Sequence, residues 1–180
     1  MEKVRLNIGT QGKTCGKEYE MKKGLLTCIA LMMAGLLVAC GGGKDEQKTT
    51  DLNAFYEGLA QTYEWDNGYM MEIEESMLDS YYPGLREIPK KQFIARTPMM
   101  SAVVCEVVFV ETENAEDANK VVEILKARVK TQAEGGAWYP ESMEAWGRAE
   151  VVQQGNYVAL IASATDQDAI KAEFDKLFAK

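Results

Sequence analysis

The amino-acid sequence predicts an α+β fold in which N-terminal helices are followed by two strand-strand-helix units. Two stretches rich in β-branched residues, at 92–110 and 148–163, are typical of strand pairs. Each is followed by a segment whose apolar residues recur every three to four positions, as on one face of a helix. The pattern predicts a four-stranded, mainly antiparallel sheet with both long helices on one face. The first helix either covers part of the other face or leaves it as an exposed apolar patch and a candidate interface.

The domain is predicted to begin with a helix over residues 51–65, capped by Thr50 or Asp51. Its apolar stripe falls at positions i, i+3, i+4 and i+7 and comprises Leu52, Phe55, Tyr56 and Leu59. A second, short helix is predicted over residues 74–82, where Pro83 ends it. Both helices precede the first predicted strand.

Four strands are predicted, at residues 92–97, 101–110, 148–153 and 156–163. The strand at 101–110 is apolar on both faces, since one face carries Val103, Cys105, Val107 and Phe109 and the other carries Ala102, Val104, Glu106, Val108 and Val110. A strand of this kind is typically central and covered on both sides. The last two strands are predicted to form a hairpin with its turn near Gly155.

The two long helices are predicted over residues 115–134 and 165–180. Asn114 is expected to cap the first helix, with Asp117 at the third helical position as in a capping box. Thr165 is expected to cap the second. The segment between the two units, residues 137–147, is predicted to be irregular or partly helical.

The segment ahead of the domain has the layout of a secretory signal peptide. Lys22 and Lys23 precede an apolar run over residues 24–36 that is short for a membrane span of ~20 residues. The tetrapeptide Leu-Val-Ala-Cys that ends at Cys40 resembles the lipobox of bacterial lipoproteins. This resemblance implies cleavage before Cys40 and a diacylglyceryl group on its sulfur, so membrane lipid is the predicted partner of this residue.

Four regions follow from these patterns. Residues 21–39 are the predicted signal peptide, residues 40–50 the lipidated cysteine and a flexible Gly-rich tether, and residues 51–180 a single extracytoplasmic domain. Residues 1–20 are polar and without periodicity, and we predict that they are a mis-assigned leader and that translation begins at Met21. The predicted location is the outer face of the cytoplasmic membrane.

Charge and composition exclude several classes of function. Residues 1–39 hold six of the 20 basic and three of the 28 acidic residues, so the remaining chain has a net charge of −11. An acidic chain is repelled by nucleic acid, and we predict no nucleic-acid partner. The sequence contains no histidine, which excludes Ser-His-Asp and Cys-His catalysis and histidine metal sites.

No cofactor or metal is predicted either. The sequence has no glycine-rich nucleotide-binding motif after a strand and no calcium-binding loop of the Asp-x-Asp-x-Asp-Gly type. Once the leader, the signal peptide and the lipidated cysteine are set aside, Cys105 is the one cysteine left, so no intrachain disulfide is expected. Its position in an apolar strand predicts a buried thiol.

Five aromatic residues in the less regular connections form a candidate recognition surface, comprising Tyr81, Tyr82, Trp138, Tyr139 and Trp146. Exposed rings stack on sugars or anchor protein partners. The alternative is that these rings pack together and close the edge of the sheet.

The layout as a whole resembles a family of Firmicute (Clostridia-type) lipoproteins known only by a domain of unknown function, number 4358. The resemblance covers residues 50–180 and rests on the lipobox at Cys40 and on five features of the domain, namely Asp51-Leu52, Pro98-Met99, the apolar strand at 102–110, the helix at 115–134 and Gly155-Asn156-Tyr157. It implies an extracytoplasmic lipoprotein. It brings no activity and no catalytic residue.

Three functions fit these observations. The leading hypothesis is a non-catalytic protein-binding or adaptor module that uses an uncovered sheet face and the aromatic connection, with an envelope protein or wall glycan as partner. The second is a small-ligand or cell-wall-fragment binding lipoprotein, which requires a closed pocket. The third is a hydrolase that uses carboxylates alone, such as Glu72, Glu74, Glu111 or Asp117. We predict that the protein is not an enzyme.

Overall fold

The computed structural model describes residues 49–65 and 68–179, which belong to one compact unit spanning Glu46–Lys180. The predicted leader, signal peptide and lipidated Cys40 lie outside the described residues, so these assignments stay predictions. Within the described residues, no helix has both the length and the apolar character needed to cross a membrane.

The described residues form five strands and five α-helices. The strands are β1 (Met70–Glu72), β2 (Lys90–Pro98), β3 (Cys105–Thr112), β4 (Glu150–Gln154) and β5 (Tyr157–Ser163). The α-helices are α1 (Leu52–Thr62), α2 (Leu78–Tyr81), α3 (Ala115–Thr131), α4 (Pro140–Gly147) and α5 (Gln167–Lys176), and a 3-10 turn (Glu75–Met77) precedes α2.

The strands form one antiparallel sheet in the order β1-β2-β3-β5-β4. The predicted count of four strands is therefore wrong, because β1 pairs with the end of β2, Met70 lying opposite Pro98. A three-residue strand carries too little alternation to be recognised from sequence. The two strand-strand-helix units, β2-β3-α3 and β4-β5-α5, are present.

The central position predicted for the strand at 101–110 is confirmed. β3 lies between β2 and β5, and all eight of its residues are buried. Its side chains alternate between two cores as predicted, with Val107 and Phe109 in one and Val108 and Val110 in the other. β3 begins at Cys105 and not at residue 101, because residues 101–103 form a turn in which the Val103 N–H donates to the Met100 carbonyl.

The two long helices lie on opposite faces of the sheet, which corrects the prediction that both cover one face. α3 and α4 pack over Val108 and Leu160, whereas α1 and α5 pack over Phe109 and Ile161. The reason is that β3 and β5 are apolar on both faces, so helices on a single face would leave the other core in water. The uncovered sheet face proposed as a recognition surface is therefore absent from the described residues.

Helix capping follows the prediction at two of three helices. The Asp51 carboxylate accepts from the backbone N–H of Asn53 and Ala54, and the Asn114 side chain accepts from the Asp117 N–H at 2.9 Å. At α5 the prediction is wrong: Asp166 occupies the N-cap position, and the Thr165 hydroxyl donates to the Asp166 carboxylate instead of capping the helix. α5 accordingly begins at Gln167.

The predicted helix at 115–134 ends earlier, at Thr131, and the chain kinks over Gln132–Gly136. Gly135 has φ 131°, a backbone conformation that L-residues with a side chain rarely adopt. After the kink, the connection predicted to be irregular or partly helical contains α4, which begins with Pro140 at its first helical position. The kink and α4 together set the position of the aromatic connection.

We expect Gly135→Ala to lower the free energy of unfolding by roughly 1–3 kcal/mol, the usual cost of a strained backbone. No neighbouring atom lies within 4 Å of the added Cβ, so the change in the free energy of unfolding reflects backbone strain and not a steric clash. Gly58→Ala is the matched control, since Gly58 lies in α1 with equally open space and should stabilise the protein by roughly 0.5–1 kcal/mol. Urea denaturation of both variants checks the pair. Equal effects of the two substitutions would contradict the kink at Gly135.

Candidate functional site

The five aromatic residues of the candidate recognition surface divide into two groups. Tyr82 and Trp146 are buried and Tyr81 is half-buried, so these three belong to the core under α3. Trp138 and Tyr139 are exposed, with 88% and 55% of their surface accessible. The packing alternative therefore holds for the first group, and the candidate surface reduces to the second.

The buried group surrounds the guanidinium of Arg128, which extends from α3. The central guanidinium carbon lies 4.5 Å from the ring centre of Tyr81, 5.3 Å from that of Trp146 and 6.0 Å from that of Tyr82. A cation over aromatic faces is attracted by their quadrupoles, and a desolvated contact contributes about 2 kcal/mol. The aromatic rings therefore hold a charge that would otherwise be costly to bury.

Glu106 of β3 supplies the counter-charge. Arg128 Nε and Nη2 donate to the two carboxylate oxygens at 3.0 and 2.7 Å, and the Tyr82 hydroxyl donates to Oε1 at 2.8 Å. The side chains of Glu106 and Arg128 are 2% and 14% exposed. This bidentate geometry is the strong form of the arginine–carboxylate interaction. Both carboxylate oxygens of Glu106 are engaged within the protein.

The environment fixes the protonation of the two partners of Glu106. Burial, and then the negative charge of Glu106, raise the pKa of Tyr82 well above its ordinary value, so this tyrosine stays a neutral donor. Burial disfavours the Arg128 cation, but the hydrogen bonds and charge of Glu106 outweigh it, and the pKa of Arg128 is raised. Neither group exchanges a proton near neutral pH, which assigns this cluster to the structure of the core.

Sequence reasoning did not identify Arg128 or the role of Glu106. One signal was present, because Arg128 follows Val121 by seven and Leu125 by three residues, positions that share the buried stripe of α3. A glutamate inside an otherwise apolar strand is the complementary signal. An ion pair between residues 22 positions apart becomes visible only when α3 packs on β3.

The exposed group lies where the kinked segment joins α4. Tyr139 occupies the N-cap position of α4, and Trp138 has φ 54°, in the left-handed region. The Ser142 hydroxyl donates to the Ala102 carbonyl at 3.3 Å, which ties the start of α4 to the loop between β2 and β3. That loop carries Met99 and Met100, both about two-thirds exposed.

Three of the four carboxylates considered for a hydrolase are engaged in ordinary structural contacts, and the fourth, Glu74, is exposed. Glu72 pairs with Arg96 at 3.2 Å, Glu111 accepts from the Gln92 side chain, and Asp117 pairs with Lys120 and Asn114. Cys105 is buried, as predicted, and burial and then the charge of Asp166 raise the pKa of its thiol to about 12. At neutral pH this thiol is protonated and a poor nucleophile.

A surface depression next to α2 has a volume of ≈ 190 Å³ and is lined by residues that include Glu75, Arg86 and Lys90. Typical small-ligand sites enclose roughly 300–1,000 Å³, so this depression is small for one, whereas a second and more open depression between α3 and β4 has a volume of ≈ 350 Å³. The charged groups of the first depression are also occupied, because Arg86 pairs with Asp79 and Lys90 Nζ donates to the carbonyls of Leu85 and Ile88. Within the described residues, no three acidic or cysteine side chains come together to hold a metal ion.

Comparison with known proteins gives one match. The family described as "Domain of unknown function (DUF4358)" matches residues 63–163, which contain all five strands, the Glu106–Arg128 pair and Trp138. The matched range ends before α5 and begins after α1, so both helices that cover the second face lie outside it. No curated protein and no solved structure matches the chain. The match covers more than half of the sequence, and the chain belongs to the family defined by this domain of unknown function.

Proposed function

We propose that this protein is a lipoprotein of the Firmicute type, anchored by acylated Cys40 to the outer face of the cytoplasmic membrane, where it acts as a non-catalytic protein-binding or adaptor module. The observation that carries the binding role is Trp138. Its side chain is 88% exposed, and its backbone lies in the left-handed region with φ 54°.

Both properties of Trp138 oppose folding stability. An exposed indole contributes almost no hydrophobic burial, and a left-handed conformation costs a residue with a side chain roughly 1–2 kcal/mol. Glycine or asparagine would suit the same turn better. An outlier of this kind that the core does not require is a reason to propose function, and tryptophan is among the residue types enriched at the energetically dominant contacts of protein interfaces.

The anchor rests on the sequence before the domain. Lys22, Lys23, the apolar run and the lipobox cysteine agree with one another, and the tether over residues 41–50 has the composition of a flexible linker. Its mean span is roughly 18 Å, so the domain would stay close to the membrane.

The non-catalytic assignment rests on the chemistry available. The sequence has no histidine, Cys105 is buried, and the buried carboxylate Glu106 is already bonded to Arg128 and Tyr82. A general base needs a carboxylate that is free to reach its substrate. The remaining alternative is binding of a cell-wall fragment, since the exposed ring of Trp138 would also stack on a sugar.

Surface crosslinking of the tagged full chain in intact cells, followed by mass spectrometry, tests the proposal. We expect one envelope protein to be captured in near-stoichiometric amount by the wild type, about tenfold less by Trp138→Ala, and nearly unchanged by Trp138→Phe, which keeps an aromatic surface. Cys40→Ser should release the protein from the membrane fraction or leave it unprocessed, since a thioether needs the thiol.

The two parts of the proposal fail separately. Capture that is identical for wild type and Trp138→Ala would contradict the role of Trp138. Processed, membrane-bound Cys40→Ser protein would contradict the anchor. Recovery of wall glycan alone, in a Trp138-dependent manner, would replace the adaptor role with glycan binding.

A further inference from the structure

The large hydrophobic side chains that the described residues leave exposed gather at one end of the sheet. They are Tyr69, Met71, Met99, Met100, Trp138 and Tyr139, and we call this group the apolar end. The Met99 N–H donates to the Tyr69 carbonyl at 3.1 Å, Met71 pairs with Thr97, and the Ser142 hydroxyl joins α4 to Ala102. Three stretches that are distant in sequence therefore meet here, at the end of β2 and the start of β3.

The tether enters at the opposite end. The Gln92 side chain donates to the Thr50 carbonyl at 2.7 Å, and the Thr50 N–H donates to the Tyr157 hydroxyl at 3.2 Å. Gln92 lies near the start of β2, and Pro98 at the other end is six positions further along the strand. With a rise of ~3.3 Å per residue, the apolar end lies about 20 Å from Thr50 along the sheet.

Acidic residues border the apolar end. The three segments that build it, residues 68–72, 96–104 and 134–142, and the adjoining residues 163–168, in which the Ala164 N–H donates to the Val104 carbonyl, contain five acids, namely Glu72, Glu134, Glu141, Asp166 and Asp168. They contain one base, Arg96, and its guanidinium pairs with Glu72 at 3.2 Å. The border therefore carries a net negative charge.

We infer that the apolar end docks into an apolar groove of a protein partner whose rim carries lysine and arginine. This inference rests on the proposed function and adds the chemistry of the partner. Methionine adapts to grooves of different shape, and tyrosine and tryptophan bury large areas at low entropic cost. A basic rim complements the acidic border and speeds association.

The same charge disfavours other occupants. A second copy of the chain would place acid against acid, and an anionic lipid surface would repel the border. The apolar run at residues 24–36 is not a candidate occupant either, because the proposed mature chain begins at acylated Cys40 and lacks it. Its position away from Thr50 also keeps the apolar end clear of the point where the tether joins the domain.

The full chain, purified in detergent, tests this inference against a pair of synthetic probes. The first probe is a 16-residue amphipathic peptide with leucines on one face and lysines on the other, and the second replaces every lysine with glutamate. We expect the lysine peptide to bind at least tenfold more tightly. The variant Met99→Ala/Met100→Ala/Trp138→Ala should lose at least tenfold of that affinity, because it removes the apolar contact.

A matched pair of charge variants separates the effect of the acidic border on peptide binding from the effect of the protein's net charge. Glu141→Lys/Asp166→Lys should weaken binding of the lysine peptide at least fivefold, whereas Glu57→Lys/Glu87→Lys, which reverses two exposed acids elsewhere, should change it less than twofold. Equal effects of the two charge variants, or equal affinity for the two peptides, would overturn the inference.

Two further outcomes would also overturn it. One is tighter binding to phosphatidylglycerol vesicles than to the lysine peptide. The other is a wild-type protein that is a dimer in solution while the Met99→Ala/Met100→Ala/Trp138→Ala variant is a monomer. A Trp138-dependent envelope protein whose binding site is acidic would overturn the basic-groove inference while leaving the proposed adaptor function intact.

Discussion

Replacing Arg128 with alanine is expected to lower the free energy of unfolding by about 3–5 kcal/mol, the usual result of removing one partner of a buried ion pair. The cost arises because Glu106, which is 2% exposed in the native protein, would keep one hydrogen bond, from Tyr82, in place of three. The rings of Tyr81 and Trp146 also lose the guanidinium against which they pack. Since domains are stable by about 5–15 kcal/mol, the loss would be a large share of the total.

The double variant Glu106→Leu/Arg128→Met is the control. It removes both charges and keeps apolar volume, and a change of this kind is often neutral or stabilising. Guanidinium denaturation followed by tryptophan fluorescence measures both variants. A cost below about 1 kcal/mol for Arg128→Ala, or a double variant as unstable as the single one, would show that Glu106 is not a buried, unpaired charge in the single variant.

Phe174→Ala is expected to destabilise the protein by about 3–5 kcal/mol through the cavity that it leaves in the second core. Phe174 of α5 is fully buried, and its ring stacks on Phe109 of β3 with centroids 6.0 Å apart. The rings of Phe55 and Phe178 complete the group at 6.1 and 5.3 Å. The prediction thus tests directly whether α5 covers the face that the sequence assigned to no long helix.

Lys176→Ala serves as the comparison, because Lys176 lies on the exposed side of the same helix and pairs with Glu173 at the surface. We expect a change within about 0.5 kcal/mol there. Thermal unfolding by circular dichroism would report both. If Phe174→Ala cost no more than Lys176→Ala, α5 would not be packed against the sheet.

Much of the domain follows from local sequence patterns. Alternating β-branched residues predicted β2 to β5, and the stripes of α1, α3 and α5 predicted their buried sides. Asn114 with Asp117 predicted the start of α3. These features depend on side chains close in sequence, and the periodicity of a helix or strand states them directly.

The candidate site was predictable in part. Aromatic residues in the connections indicated a recognition surface, but their sequence positions do not say which rings point inward. Trp138 and Trp146 are eight residues apart, yet one is 88% exposed and the other packs on Arg128. The difference is decided by α4, whose turn places Trp146 against α3 and leaves Trp138 on the kink after Gly135.

The sequence by itself determined the order of the larger elements other than β1 and α4, the central strand β3 and the absence of histidine chemistry, and it predicts a lipid anchor at Cys40. The tertiary structure alone decided which face each long helix covers, the pairing of Glu106 with Arg128 and the gathering of Met99, Met100 and Trp138 at one end. The physical reason is range: capping and periodicity act over three or four residues, whereas burial and ion pairing depend on segments that the fold brings together from 20 or more residues apart.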